Sequence, residues 1–137
     1  MTTLELSKCH IGQDVEKLAG LLTNCPTLPH LDLRSNTNIL YQGAYDLPGL
    51  GQCSTLTHLN LGANIIGDLG TERLAPVPTK FSSLGHLDLT YDNHIGSAGT
   101  KILVSVLPPC PVLSDLRLHR NQIGPEEANS LAEVIVK

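Results

Sequence analysis

Three histidines stand at equal intervals along the chain, and each is followed two residues later by a carboxylate or an amide. The three pairs are His30 with Asp32, His58 with Asn60, and His86 with Asp88. An imidazole beside a carboxylate can act as a general base, and two imidazoles with a carboxylate can bind a divalent metal ion. Whether these side chains meet in space depends on the structure that repeats with them.

The interval between the histidines belongs to a longer repeated phrase. Leu-x-His-Leu-x-Leu occurs at residues 28–33, 56–61 and 84–89, and a fixed period of this length indicates one repeated supersecondary unit. The same frame continues through Met1, Leu4, Leu6, Cys9 and Ile11, and through Leu113, Leu116, Leu118, Asn121 and Ile123. We therefore predict a single domain over residues 1–137, with five coils at approximately 1–27, 28–55, 56–83, 84–112 and 113–137.

The repeat resembles a known family. Its frame, L-x-x-L-x-L-x-x-[N/C]-x-[I/L] followed by glycine and a helical stretch, resembles a leucine-rich repeat. The long period is similar to that of the ribonuclease-inhibitor-like subfamily, which includes the repeat domains of NOD-like receptors and Ran GTPase-activating proteins. The resemblance implies an α/β solenoid, a short right-handed horseshoe arc with a parallel sheet on its concave face. Helices and irregular turns would cover the convex face.

Composition excludes several classes of protein. A formal net charge of −4 argues against a nucleic-acid binder, which would normally present a basic face. No apolar run approaches the roughly 18 residues of a membrane-spanning helix. The N-terminus enters the first repeat without a signal peptide, and the chain holds no Asn-x-Ser/Thr acceptor. We therefore predict a cytoplasmic protein that binds neither nucleic acid nor membrane.

The four cysteines follow the same frame. Cys25, Cys53 and Cys110 each precede the first leucine of a coil by three residues, and Phe81 fills that position in the remaining coil. The exchange with phenylalanine indicates buried apolar positions rather than disulfides. Cys9 takes the position that later coils give to asparagine, which predicts an interior site.

The convex side is predicted to be helical in three coils. Apolar spacing and favourable helix starts indicate helices at Asp14–Thr23, Ser97–Leu107 and Pro125–Val136. The two remaining coils contain Leu47-Pro48-Gly49-Leu50-Gly51 and Ala75-Pro76-Val77-Pro78, where proline and glycine oppose a regular helix. We predict short turns or 3₁₀ segments in those two coils.

On the sheet, residues between the leucines should point outward by two-residue alternation, and stacked coils should align them in columns about 4.8 Å apart. One column would hold Thr3, His30, His58, His86 and Asp115, and its neighbour Glu5, Asp32, Asn60, Asp88 and Arg117. The predicted partner-binding residues on this concave face are His30, Asp32, His58, Asn60, His86, Asp88, Tyr91, Arg117, His119 and Arg120.

Three interpretations of the histidines stay open at this point. They are inherited with the repeat and simply solvated, they form a contact strip for a partner, or two of them bind a metal with Asp32 or Asp88. A flat column rarely closes a tetrahedron, so we predict no metal and no cofactor. Neighbouring imidazoles should also lower each other's pKa through mutual repulsion, which gives the hypothesis of a mild pH response near 6.

Catalysis is not expected from this sequence. No Gly-x-Ser-x-Gly elbow is present, and the glycine-bearing segment 96–101 lacks the Gly-Lys-Ser/Thr of a phosphate loop. The cluster of Arg117, His119 and Arg120 suits a carboxylate or phosphate on a partner, or else pairs with Asp88 and Asp115. We predict a non-catalytic module that binds an unidentified protein on the concave sheet. The alternative is a structural or self-assembling piece of a longer array, forming homo-oligomers through uncapped ends.

Overall fold

In the computed structural model, residues 3–9, 27–36, 55–74, 83–91, 94–106 and 112–135 are described. Five short strands form one parallel sheet in chain order, with no strand inserted between sequence neighbours. The strands are β1 (Thr3–Glu5), β2 (His30–Asp32), β3 (His58–Asn60), β4 (His86–Asp88) and β5 (Asp115–Arg117). The predicted parallel sheet is confirmed, whereas the coil boundaries stay a prediction.

Each strand pairs with the next in the register of the repeat. His30 lies opposite His58, and His58 lies opposite His86. The flanking pairs continue the same alignment, with Thr3 opposite His30 and His86 opposite Asp115. Both predicted columns are therefore confirmed position by position, because the period of the sequence equals the period of the sheet.

Leucines of the repeated phrase form the core. At the first, fourth and sixth positions of the three central coils they are at most 3% exposed, and these are Leu28, Leu31, Leu33, Leu56, Leu59, Leu61, Leu84, Leu87 and Leu89. Leu103 and Leu131 reach the same cluster from the helical side. The corresponding leucines of the two edge coils are half-buried, since a neighbour covers them on one side. Burial thus comes from the stacking of coils.

Three helices are present in the described residues: α1 (Gly67–Leu74), α2 (Ser97–Val106) and α3 (Pro125–Ile135). The predictions for α2 and α3 are confirmed to within one residue. For the coil that contains α1 we predicted turns, and that prediction is wrong for residues 67–74. Two helical turns fit before Pro76, so this proline does not prevent a helix over Gly67–Leu74. The predicted segments 14–23, 47–51 and 75–78 lie outside the described residues.

A buried asparagine joins each coil to its neighbours where the chain leaves the strand. The Asn64 amide nitrogen donates to the carbonyls of Leu61, Gly62 and Leu33 at 2.8 to 3.1 Å. Its oxygen accepts the backbone N–H of Asn36 at 2.7 Å. Asn64 has no exposed surface, so this one side chain satisfies backbone groups that water cannot reach.

The same arrangement recurs on both sides of Asn64. Asn36 donates to the carbonyls of Leu6 and Leu33 and accepts the N–H of Cys9. Asn121 donates to two carbonyls and accepts the N–H of Ile95. Cys9 itself is exposed, which corrects the predicted interior site. A thiol cannot form the hydrogen bonds by which an asparagine amide bridges two coils. Cys9 also belongs to an edge coil, where a neighbouring coil covers it on one side. The other three cysteines, Cys25, Cys53 and Cys110, lie outside the described residues.

One position of the turn adopts left-handed backbone geometry in all five coils, and it is never glycine. The φ angles are between 55° and 63° at Lys8, Ser35, Ala63, Tyr91 and Arg120. In the first four of these residues the backbone N–H donates to a carbonyl of the next coil, as Ala63 does to Thr90 at 2.9 Å. Contact between coils therefore enforces a conformation that side chains ordinarily avoid.

The helices are joined by a carboxylate. Asp68 of α1 accepts the N–H groups of Gly96 and Gly99 at the start of α2, both at 2.8 Å. A Cβ on Gly99 would lie 2.6 Å from Asp68 Oδ1 and 3.0 Å from an Ile95 methyl. Glycine at this position therefore lets the Asp68 carboxylate approach the start of α2.

Replacing Asn64 by alanine should lower the free energy of unfolding by about 3 kcal/mol, because buried carbonyls and the N–H of Asn36 lose their partner. Urea denaturation followed by circular dichroism measures the change. The exposed Ser130→Ala variant serves as a control and should stay within about 0.5 kcal/mol of the parent chain. Equal midpoints for Asn64→Ala and the control would contradict the bridging role.

Gly99→Ala should destabilise the chain by about 2 kcal/mol, although alanine is the better helix former by about 1 kcal/mol. The added methyl displaces Asp68 and disrupts its two bonds to the start of α2. Thermal unfolding against Ser105→Ala, an exposed change in the same helix, gives the comparison. A rise in the melting temperature of Gly99→Ala would show that propensity outweighs the contact.

Candidate functional site

The three repeated histidines form a stack on the exposed side of the sheet, here called the histidine column. Ring centroids of His30 and His58 are 3.9 Å apart with 15° between their planes. His58 and His86 are 4.0 Å apart with 10° between planes. The centroids are closer than the usual strand spacing of about 4.8 Å, so the rings lean together into face-to-face contact. Parallel rings also direct their nitrogens in parallel rather than toward one point.

The histidine column ends in a carboxylate. His86 Nδ1 lies 3.3 Å from Asp115 Oδ2, and Arg117 Nε donates to the same oxygen at 3.1 Å. The side chains of His86, Asp115 and Arg117 are 43%, 33% and 59% exposed. Arg117 is therefore partly neutralised by Asp115. Pairing with Asp115 was one of the two roles that the sequence left open for Arg117, the other being a contact with a partner's carboxylate or phosphate. No ion pair between Arg117 and Asp88 occurs among the described residues.

The pKa of His58, the middle histidine of the column, lies below its ordinary value. Burial lowers the pKa of His58, the charges of His30 and His86 lower it further, and Asp115 opposes them. The sequence predicted repulsion between the rings as the cause, whereas desolvation is the larger effect. The hydrogen bond from His86, together with Arg117, holds the pKa of the Asp115 carboxyl below its usual value. A neutral His58 is thus favoured between two neighbours that make its protonation costly.

Beside the histidine column lies the acid column: Glu5, Asp32, Asn60, Asp88 and Arg117. Its central members bind the backbone two residues ahead. Asp32 accepts the N–H of Arg34, Asn60 that of Gly62, and Asp88 that of Thr90, all at 2.9 Å. Asn60 also approaches Asp32 Oδ2 at 3.5 Å. These side chains therefore hold the turn after each strand while they face the groove.

A third group lies at the ends of the strands, and we call Arg34, Tyr91 and Arg120 the arginine–tyrosine cluster. The guanidinium carbons of Arg34 and Arg120 lie 4.7 and 5.5 Å from the centroid of the Tyr91 ring. His119 meets the same ring edge-on at 5.3 Å. The structure thus brings together three predicted site residues, Tyr91, His119 and Arg120.

Arg34 joins this group although we did not predict it as a binding residue. Its coil and that of Tyr91 are separated by the coil of β3, and a contact across two coils is not expected from neighbouring columns. The intervening residues at these positions are Gly62 and Ala63, which leave the space open. An arginine and a tyrosine at adjacent frame positions, separated by a coil that has glycine and alanine at those two positions, was the signal that could have identified the pair.

The two columns line an open groove of about 430 Å³ on the sheet face. The residues that line it include His30, His58 and His86 and the acid column. Among the described residues, no set of three or more histidine, cysteine or acidic side chains has a geometry that could hold a metal ion. No described helix is long and apolar enough to cross a membrane. The histidine, acidic, amide and arginine side chains of the groove can offer hydrogen bonds, charge and ring stacking to a bound molecule.

Comparison with known proteins agrees with this architecture. The family described as "Leucine Rich repeat" matches residues 52–75. Among solved structures, "Leiomodin-1 Actin-Binding Site 2 (ABS2)" superposes with a TM-score of 0.79 at 16% identity, covering 99% of this chain and 79% of that chain. The predicted α/β leucine-rich-repeat solenoid is confirmed. The ribonuclease-inhibitor-like subfamily is not distinguished by these matches and stays a prediction.

We expect the pKa of His58 to lie below 6.5. Replacing both neighbours in a His30→Gln, His86→Gln variant should raise this pKa, while burial still keeps it below 6.5. Because the folded pKa is depressed, the stability from neutral His58 is complete above about 6.5 and is lost as pH falls through the folded pKa. NMR titration of the imidazole protons measures the values. His94→Gln, outside the column, is the control; an unchanged His58 pKa in the double variant would contradict the coupling.

Proposed function

We propose that this chain is a non-catalytic protein-binding module whose sheet face contacts its partner. The observation that carries the proposal is an ordered, outward-facing array of side chains that the core does not require. His86 and Arg117 keep about half of their side-chain surface exposed although their strands lie on a tightly packed core. Rigid, exposed and chemically varied side chains are what a recognition surface provides.

The form of the groove favours a macromolecule over a small substrate. It runs across all five strands and is open along its length, whereas small-molecule sites are usually concave and enclose most of their ligand. In the described residues no serine is bonded to a histidine, so the hydroxyl nucleophile of a triad has no activating base there. Thr57 does lie 2.8 Å from His58 Nδ1, but its hydroxyl also donates to the Pro29 carbonyl. Thr57 therefore holds the ring in place.

The similar proteins support this proposal in general terms. Leucine-rich repeats serve as interaction domains, and the leiomodin-1 structure is that of an actin-binding site. At 16% identity the likeness carries the fold and not the binding residues. Protein binding in general, and not actin in particular, is what we propose for this chain. The sequence-based alternative of self-assembly through uncapped ends gains no support from these comparisons.

The composition agrees with a protein partner in the cytoplasm, which is part of the proposal. The acidic net charge of −4 disfavours nucleic acid, and the groove alternates acidic, amide and basic groups along one column. Such mixed charge selects a complementary partner mainly through orientation and the exclusion of like charge. The ten predicted site residues define the proposed contact surface, to which the structure adds Arg34.

The experiment compares two triple variants that differ in the face they change. His58→Ala, His86→Ala and Arg117→Ala together alter the sheet face, while Lys101→Ala, Glu126→Ala and Ser130→Ala alter the exposed helical side. Both variants and the parent chain are immobilised after circular dichroism establishes that they are folded. Proteins captured from cells that express the chain are then quantified by mass spectrometry.

We expect at least one protein to be recovered ten-fold less by the sheet variant and equally by the helix variant, because loss of even one hot-spot residue near the centre of an interface costs about 2 kcal/mol or more. Loss on the helix variant instead would place binding on the convex side. Equal recovery by all three chains would mean that the columns are inherited with the repeat and bind nothing.

A further inference from the structure

We propose that the arginine–tyrosine cluster is an anchor for an acidic segment of the protein partner, whose glutamate or aspartate carboxylates bind Arg34 and Arg120. The inference rests on the proposed function and deepens it, because it states the chemistry of the partner at one end of the sheet face. It replaces the sequence-based cluster of Arg117, His119 and Arg120, since Arg117 is already engaged by Asp115.

The two guanidinium groups are each placed by the same ring before any partner arrives. Their carbons lie 4.7 and 5.5 Å from the centroid of the Tyr91 ring. The backbone of Tyr91 is fixed because its N–H donates to the His119 carbonyl at 3.1 Å, and its ring meets the His119 ring edge-on at 5.3 Å. An arginine that is already ordered loses less conformational freedom when it binds a carboxylate.

These two cations are not neutralised within the described part of the chain. Its ion pairs are those of Asp115 with His86 and Arg117. The nearest acid to Arg34 along the chain is Asp32, and its carboxylate accepts the Arg34 backbone N–H at 2.9 Å instead of the guanidinium. Asp88 binds the N–H and hydroxyl of Thr90. Arg34 and Arg120 are both exposed, so an incoming carboxylate can reach them.

A second observation extends the cluster beyond the sheet. A depression of about 340 Å³ begins at Arg120, and the other described residues that line it are His94, Asn121 and Gln122, none of them acidic. Gln122 Nε2 lies 3.3 Å from His94 Nδ1, which holds both side chains at its wall. Alternate residues of an extended peptide are about 7 Å apart, so one carboxylate can bind the cluster while another enters this depression.

The surrounding charge determines where an acidic segment can bind. The chain as a whole is acidic, with 13 Asp and Glu against 9 Lys and Arg, and Glu5, Asp32 and Asp88 lie in the adjoining acid column. A carboxylate is therefore repelled from most of the surface and attracted at this end. Guanidinium forks match planar carboxylates and bind them through paired hydrogen bonds. A nucleic acid carries phosphates along its whole length, so the part that extends past the cluster would be repelled by the carboxylates of the acid column.

The test uses a fluorescein-labelled peptide of six glutamates flanked by Gly-Ser, with the six-glutamine peptide for comparison. Fluorescence anisotropy at 50 mM salt gives its affinity for the intact chain, for Arg34→Gln with Arg120→Gln, and for Lys101→Gln. The last variant removes one positive charge from the exposed side of α2. A Lys101→Gln, Lys137→Gln variant matches the charge change of the double arginine variant. A phosphoserine peptide of the same length provides an arm for phosphate.

We expect the arginine variant to bind the glutamate peptide at least ten-fold more weakly, and the lysine variants to remain within two-fold of the parent chain. The glutamine peptide should not bind. Equal loss on the lysine variants, or no loss on the arginine variant, would overturn the proposal. Binding of the phosphoserine peptide alone would overturn the assignment to carboxylates.

Failure of this inference can be told apart from failure of the proposed function. The sheet variant used for partner capture keeps Arg34 and Arg120, so the two experiments change different residues. If capture depends on the sheet face but the arginine variant binds glutamate normally, the module stands and the anchor is wrong. If the arginine variant alone loses the glutamate peptide while capture ignores the sheet face, an acidic site exists without the proposed contact surface.

Discussion

The buried asparagine amide is the interaction on which this solenoid depends. A chain that leaves a strand beneath another coil has backbone groups that neither water nor a regular ladder can satisfy. Asn64 meets this demand by donating to three carbonyls in two coils and accepting an N–H from one of those coils. Because the amide also joins corresponding positions of neighbouring coils, a shift of register by one residue would leave the Leu33 carbonyl and the Asn36 N–H unpaired. The asparagines therefore fix both the turn and the alignment of the strands.

Alignment then decides what the sheet face presents. Once each coil repeats the backbone of the last, a histidine at one frame position must stand beside the histidine of the next coil. The stacking of the rings, with centroids 3.9 and 4.0 Å apart, follows from this alignment of the strands and not from attraction between imidazoles. The depressed pKa of His58 has the same origin, since a central ring is shielded by two neighbours. Stacking is tolerable because neutral imidazoles carry no charge to repel.

Much of this could be predicted from the sequence because the period is an explicit signal. The columns, the buried leucines and two helices follow from counting residues in one frame. What could not be predicted involves contacts that the frame does not encode. Arg34 reaches Tyr91 across an intervening coil, and that reach depends on two small residues and on side-chain torsions. Helix α1 was obscured by Pro76, because a proline near a helix end and a proline inside a helix look alike until the end is located.

Two-residue alternation separates the residues that pack the core from those that face the groove along most of each strand, but the acid column faces the groove and also supports the fold. Leu59 points into the core and His58 points away from it, so either can change with limited effect on the other role. Asp32, Asn60 and Asp88 face the groove and also bind the backbone that begins the next turn. A change at these residues alters surface charge and turn geometry together. The residues best able to evolve new binding are therefore those of the histidine column and the arginine–tyrosine cluster. Their side chains can be exchanged while the asparagine bridges hold each coil in register.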